Sequence, residues 1–238
     1  MLALYQFRHS AFCLKVRMAL KIKNLEFKVQ EINPGLGQIE IFKLTGQRQL
    51  PVIVDGNKII ADSTEICEYI NSKNNLHNIY PENEKLLTQA LLIEDWADTT
   101  FATAAKKALI KAALNNPQLR VALLPEEFPN SIKDLLGNLS LPDPQSLKNM
   151  FINDNDQNNL EQNLIKLSNS LEKSNYLIGD HFTIADLAVA AQLSLLKFPE
   201  SAGSLLKGKG NKEFIMNPYL KRLFEWRDEL EEYLEQIN

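Results

Sequence analysis

The 238-residue sequence predicts an α/β domain at its N-terminus followed by an all-helical domain. Three patterns carry that prediction. An apolar, β-branched run, Val52-Ile53-Val54, is opened by Pro51 and closed by Asp55-Gly56, which marks a strand entering a tight turn. A second strand pattern, Leu2-Ala3-Leu4-Tyr5, leads into a helical stretch near the N-terminus. From Lys85 onward the strand signals are gone and apolar residues recur at helical spacing.

Taken in order, Leu2 to Tyr5 is a short strand. The polar loop Arg8-His9-Ser10-Ala11-Phe12-Cys13 follows, then a helix from Leu14 to Lys23 and a connector. The segment between Gly35 and Leu50 should carry a helix, with Ile39 to Lys43 as its clearest apolar part. Pro51 has no N–H to give to a ladder, so it belongs at the first residue of a strand or on an edge. Asp55-Gly56 turns the chain, and Lys58-Ile59-Ile60-Ala61 returns as the second strand of a hairpin. Asp62-Ser63-Thr64-Glu65 starts a helix, with small polar caps and a glutamate in the first turn. The strand signals end near Asn75, and Leu76 to Glu84, with Pro81 and several polar residues, reads as a linker. The expected division is residues 1–75, a linker at 76–84, and a helical domain at 85–238.

In the second half, Leu87, Leu91, Trp96, Phe101, Ala105 and Leu109 lie roughly on one stripe of a long helix. Pro117, Pro125, Pro129, Pro142 and Pro144 punctuate an irregular stretch, with a short helical piece around Ile132 to Leu136. Leu160, Leu164, Leu167 and Leu171 mark an amphipathic helix. Thr183 and Asp186 form an acidic capping box, in which each side chain answers an orphan backbone donor of the other residue. Both are read as structural. The apolar stretch Ile184 to Leu196 is interrupted by Asp186, Gln192 and Ser194, so it is a buried core helix and not a membrane span. Ser201 to Asn211, rich in glycine and lysine, is expected to be a mobile loop. Pro218 opens a last helix through Leu220, Leu223, Trp226 and Leu230.

Composition narrows the function. A hydrophobic fraction of 45% and a charged fraction of 24% are those of an ordinary globular protein that needs no disulfide or metal staple. The net charge of -4 and pI of about 5.5 argue against a nucleic-acid partner. Two cysteines, Cys13 and Cys67, make no disulfide framework and point to a reducing compartment. The chain runs straight into a strand pattern, with no apolar leader. His9, His77 and His181 lack metal-ligand spacing, so no metal is expected.

Four motifs together carry a resemblance. Ser10-Ala11-Phe12-Cys13 sits where thioredoxin-fold proteins keep their active-site tetrad. Leu50-Pro51 matches the cis-proline position of that fold. Asp62-Ser63 matches the acidic residue and serine that hold the γ-glutamyl end of glutathione. Tyr176-Leu177-Ile178-Gly179-Asp180 and Thr183-Ile184-Ala185-Asp186-Leu187 look like the loop and capping box of the same family's helical domain. The chain resembles a soluble glutathione S-transferase from end to end. The resemblance implies a thioredoxin-like α/β N-terminal domain and an all-α C-terminal domain. It also implies glutathione as a substrate, a small electrophilic or apolar acceptor, a homodimer, and a cytoplasmic role in detoxification.

Glutathione chemistry needs a thiolate, and a free thiol has a pKa of about 8.5. Lowering it by about two units takes about 2.7 kcal/mol of preferential stabilisation of the anion. A hydroxyl hydrogen bond to an anion supplies roughly 1.5–3 kcal/mol, and a helix N-terminus about 0.3–1 kcal/mol. By the resemblance Ser10 is the catalytic residue of a serine-type transferase; as a plain residue it is a helix cap. Arg8 and His9 either raise the positive potential near the sulfur or are solvated loop residues. Cys13, at the resolving position of the tetrad, is either a redox thiol or an inert core residue. The resemblance assigns Leu50 and Pro51 to the glutathione backbone, Gln49 to its glycine end, and Asp62 and Ser63 to its γ-glutamyl end. Asp62 is one methylene shorter than the glutamate more common there. Phe12 and Phe101 are expected to line an apolar pocket for the second substrate. Two other readings stay open: a non-catalytic binding module, and a thiol-disulfide reductase working through Cys13.

Overall fold

A computed structural model describes residues 1–33, 35, 37–125, 128–138 and 154–237. Packing divides the chain into two compact units. One is Met1–Asp95 with Ile178–Ala191 and Leu230–Asn238; the other is Trp96–Leu177 with Gln192–Glu229.

The first unit contains a four-stranded sheet built from β1 (Leu2–Gln6), β2 (Lys28–Glu31), β3 (Val52–Asp55) and β4 (Lys58–Ile60), in the order β2-β1-β3-β4. β2 runs parallel to β1, whereas β1–β3 and β3–β4 are antiparallel. Leu4 lies opposite Val29 on one side and Ile53 on the other, and Ile53 lies opposite Ile60. The β3–β4 hairpin turns at Gly56, whose φ of 60° is the left-handed conformation that glycine adopts without penalty. β2 falls within what the sequence reads as a connector. All four of its residues are exposed, so no buried-face alternation announces it.

Helix α1 spans Ala11–Ile22, α2 spans Gly37–Thr45 and α3 spans Ser63–Asn71. Helix α1 begins three residues before the expected Leu14 because Ser10 caps it. Tyr5 and Leu50 pack with Ile32, Ile41 of α2 and Val52 in one cluster. Strand alternation sends Leu4 and Ile53, both fully buried, to the opposite face. Helices α1 and α3 pack on each other, and α3 also meets β3. The expected linker is pinned within this unit: Ile79 is fully buried, its N–H donates to Asn71 Oδ1 at 3.1 Å, and its carbonyl accepts from the Ile184 N–H at 2.8 Å.

The long helix is interrupted. It runs as α4 (Glu84–Trp96), a π-helical turn (Ala97–Phe101) and α5 (Ala102–Asn115). The single stripe expected from sequence therefore breaks. Phe101 and Ala105 are fully buried, but Leu91 is 39% exposed. A π turn takes up extra residue length, so the faces before and after it are out of phase.

Next come α6 (Pro117–Ala122), α7 (Asn130–Asn138), α8 (Asp154–Leu171) and α9 (Ile184–Leu196). After these lie a 3₁₀ turn (Glu200–Ala202), α10 (Lys212–Ile215), a second 3₁₀ turn (Pro218–Leu220) and α11 (Lys221–Gln236). The expected helical piece around Ile132 lies in α7, while Pro142 and Pro144 fall outside the described residues. Arg120 ties α5 to α7 by donating to the carbonyls of Ala113, Leu114, Leu136 and Gly137. Trp226 donates through Nε1 to the Asn175 carbonyl at 2.9 Å.

Ser201 to Asn211 is an organised loop, contrary to expectation. Leu206 is 1% exposed within a cluster with Leu119 and Phe198. The Phe198 N–H donates to the Lys209 carbonyl at 2.8 Å, and the Gly208 N–H donates to the Phe198 carbonyl at 2.9 Å. Gly210 permits this close path, because a Cβ there would lie 2.1 Å from the Leu196 carbonyl oxygen. One buried leucine and these backbone bonds outweigh the glycine-rich composition.

Candidate glutathione site

Sheet direction gathers three separate chain segments at one end of the sheet. β1 is antiparallel to β3, with Tyr5 opposite Val52, so the loop leaving β1 lies beside the start of β3. β4 is antiparallel to β3, with Ile60 opposite Ile53, so the chain leaving β4 emerges at that same end. The Ser10 loop, Leu50-Pro51 and Asp62-Ser63 are thus neighbours by topology. Gln47 ties two of them, since its Nε2 donates to the Ala61 carbonyl at 2.6 Å.

Ser10 is the N-cap of α1, in extended geometry, and its Oγ accepts from the Cys13 N–H at 3.4 Å. It is half-buried, and its hydroxyl also lies within hydrogen-bonding reach of the Cys13 thiol. The loop behind it is held by Arg17. That guanidinium donates to Gln6 Oε1 at 2.6 Å and to the Arg8 carbonyl at 3.2 Å. Glu31 holds the other side, accepting from Gln6 Nε2 at 3.0 Å and from the Arg8 N–H at 2.5 Å. The His9 ring packs edge-on against Phe7 with centroids 5.6 Å apart.

The Leu50–Pro51 peptide bond is cis. Leu50 is held through its side chain, and among the described residues no hydrogen bond reaches its N–H or carbonyl. Gln49 is exposed beside it. Asp62 caps α3: one carboxylate oxygen, Oδ1, accepts from the Thr64 N–H at 2.9 Å and the Glu65 N–H at 3.1 Å. Among the described residues its other oxygen takes no hydrogen bond, and neither the N–H nor the hydroxyl of Ser63 is engaged.

Cys13 is fully buried, and burial pushes its thiol up, outweighing the Ser10 hydrogen bond and the nearby Arg17 charge that pull it down. A nucleophilic cysteine needs the opposite shift. Cys67 is buried in α3. Phe12 is half-buried in α1 and belongs to the first unit. Phe101, expected at the wall of a ligand pocket, is a core residue with no exposed surface. Its ring stacks on Trp96 at 5.2 Å between centroids. Thr183 and Asp186 form the expected structural cap, in which one carboxylate oxygen accepts both the Thr183 N–H at 2.7 Å and its O–H at 2.8 Å. Among the described residues no cluster of His, Cys, Asp and Glu is arranged to hold a metal ion.

Sequence reading missed the network beneath the site. Lys15 Nζ donates to Glu94 Oε1 at 2.7 Å and to Thr64 Oγ1 at 3.2 Å, and Thr64 Oγ1 donates to Glu94 Oε1 at 3.0 Å. Both charged side chains are buried. The network joins α1, α3 and α4 just below the two helix N-termini. Charges 79 residues apart carry no local signal.

A mixed four-stranded sheet with two helix N-termini at one end defines a thioredoxin-like fold. Residues 4–78 match the family model described as the glutathione S-transferase N-terminal domain. That segment, the first third of the chain, is thus similar to the glutathione S-transferase N-terminal domain. The chain is 25% identical to glutathione S-transferase TCHQD of Arabidopsis thaliana over 222 residues, covering 83% of this chain and 79% of that protein. It is 26% identical to protein LigF of Sphingobium sp. strain NBRC 103272 / SYK-6 over 216 residues, covering 83% and 80% respectively. The fold also matches the theta class glutathione S-transferase of Xanthomonas axonopodis pv. citri with glutathione bound. That match has a TM-score of 0.60 at 14% identity and covers 96% of this chain and 91% of the other. The fold is a glutathione S-transferase α/β domain with a mostly helical C-terminal region.

Proposed function

We propose that the protein is a glutathione-dependent transferase, in which residues 1–75 bind glutathione and Ser10 holds its sulfur as a thiolate. The supporting observation is a set of polar groups unengaged among the described residues at one end of the sheet, the Leu50 N–H and carbonyl and the Ser63 N–H and hydroxyl, with the half-buried Ser10 hydroxyl in a neighbouring segment. The Leu50 main chain pairs with the cysteinyl backbone of the tripeptide as an added strand does. The start of α3, with Ser63, takes the γ-glutamyl carboxylate, and the spare oxygen of Asp62 takes the ammonium group. The Ser10 O–H donates to the sulfur beside the N-terminus of α1. The thiolate forms a C–S bond with the acceptor carbon, the leaving group departs with its electron pair, and the thiol proton goes to solvent. The same reading carries a homodimer and a reducing cytoplasmic setting. The fully buried Cys13, with its raised pKa, counts against a reductase.

The test pairs retention on glutathione resin with turnover of an aryl halide. Ser10→Ala should keep retention and lower turnover by about 10- to 100-fold. Cys13→Ser should leave turnover unchanged. The reverse pattern would establish the reductase, and retention with no turnover of any electrophile would establish a binding module.

A further inference from the structure

Four hydrogen bonds close a ring around the loop that leads to Ser10. Arg17 donates to Gln6 Oε1, and Gln6 Nε2 donates to Glu31 Oε2. Glu31 Oε1 accepts from the Arg8 N–H, and the Arg8 carbonyl accepts from Arg17. We propose, on the strength of the transferase reading, that Gln6, Arg17 and Glu31 are positioning residues for Ser10. They act through the Arg8 main chain to aim the Ser10 hydroxyl at the glutathione sulfur.

The path from the ring to Ser10 is short. The Ser10 N–H donates to the Phe7 carbonyl at 2.9 Å, which closes a turn with Arg8 and His9 at its corners. The ring holds both main-chain groups of Arg8, the N–H by a carboxylate and the carbonyl by a guanidinium. Bonds of this charge-assisted kind are the strong ones. One corner of the turn is thus fixed on two sides, and Ser10 leaves it in a set direction.

Helix and sheet geometry explain these residue types. Arg17 follows Ser10 by seven residues, about two α-helical turns, so both lie on one face of α1. Helical side chains lean toward the N-terminus, which carries the Arg17 head back to the loop. Its planar fork serves two oxygens at once, an arrangement a lysine cannot copy. Gln6 and Glu31 face each other in the β1–β2 ladder, so the sheet anchors the ring. Arg17 and Glu31 have opposite charges, so the ring suits placement rather than a local field. Placement matters, since an error of about 1 Å can cost about 10²-fold in rate.

The test follows the thiolate of bound glutathione by its ultraviolet absorbance against pH, together with kcat and KM for an aryl halide. Ser10→Ala sets the scale. Arg17→Met and Glu31→Ala should each raise the thiol-to-thiolate ratio by about three- to thirtyfold and lower kcat by a similar factor. The KM for glutathione should stay within about twofold, because the tripeptide is clamped elsewhere. Glu31 is exposed, so Glu31→Ala should keep the wild-type melting curve. The sign at Glu31 separates two roles. Removing a nearby negative charge favours the thiolate, whereas losing the Ser10 bond disfavours it. Arg17→Lys keeps the charge but not the fork, so it should behave as Arg17→Met does. Adding either change to Ser10→Ala should cost nothing more, because one bond is lost in every case. More thiolate in Glu31→Ala, a wild-type ratio in Arg17→Lys, or additive losses in the double variants would overturn the positioning role. So would wild-type ratios in Arg17→Met and Glu31→Ala when Ser10→Ala shows the shift. A wild-type ratio in Ser10→Ala itself would overturn the serine-type reading, and the positioning role with it.

Discussion

Replacing Lys15 with methionine should be far more damaging than removing both Lys15 and Glu94. Their side chains are 1% and 4% exposed, and the charged atoms lie 2.7 Å apart. In the single variant Glu94 stays buried without its ammonium partner, although it still accepts from the Thr64 hydroxyl at 3.0 Å. Breaking a buried pair by removing one partner costs about 3–5 kcal/mol, because the survivor's desolvation is no longer offset. Total stability is about 5–15 kcal/mol for a typical protein, so this loss is a large part of it. At about 2–4 °C per kcal/mol for a chain of this size, the melting temperature should fall by about 6–20 °C. Lys15→Met/Glu94→Leu removes both charges and fills the space with apolar volume, and such replacements are often neutral or stabilising. The assay is a double-mutant cycle by thermal and urea unfolding, followed by circular dichroism. Because the chain forms two units, the transition should be read with probes in each. A double variant as unstable as the sum of the singles, or a Lys15→Met melt at the wild-type temperature, would refute the reasoning.

Asp186→Ala orphans the N–H and O–H of the fully buried Thr183, at about 1–3 kcal/mol for each donor, readable as a lower urea midpoint. Native Cys13 should resist iodoacetamide near the ordinary thiol pKa and react only as the chain unfolds, because burial keeps its thiol protonated. Rapid native alkylation at Cys13 would contradict that. The Asp55 carboxyl is held below its ordinary value by hydrogen bonds from Lys73 and then Tyr69. Its stabilising contribution is therefore present above the usual carboxyl range, near pH 3.9, and is lost as pH falls through the lowered value. Asp55→Asn should flatten the acid limb of the melting-temperature profile, and an unchanged limb would count against the assignment.

Local signals made much of this fold legible. Pro51 and Gly56 bracket β3, and Asp62-Ser63 announces α3, because turn and cap chemistry acts over a few residues. The candidate glutathione-site residues came from the resemblance; the sheet directions are what bring their segments together. The signals that failed depend on partners. β2 is an exposed strand held by its ladder to β1, and Lys15 reads as a solvated charge until α3 and α4 cover it. The π turn was invisible because its residues fit an ordinary helix, and Phe101 looked available because its stacking on Trp96 cannot be read from spacing. Ser201–Asn211 looked mobile because Leu206 carries no sign that it anchors the loop.

The π turn also shows where this helix tolerates a change of length. An α-helical residue turns the chain by about 100°, and a π residue, with its i→i+5 bonding, by less. The five residues Ala97–Phe101 therefore cover about the rotation of four α-helical ones. Excising Thr100 would let a regular spiral close, and Thr103 and Lys107 would keep nearly their present direction. The surplus residue is absorbed where it stands, so a deletion there shortens the rod without turning it.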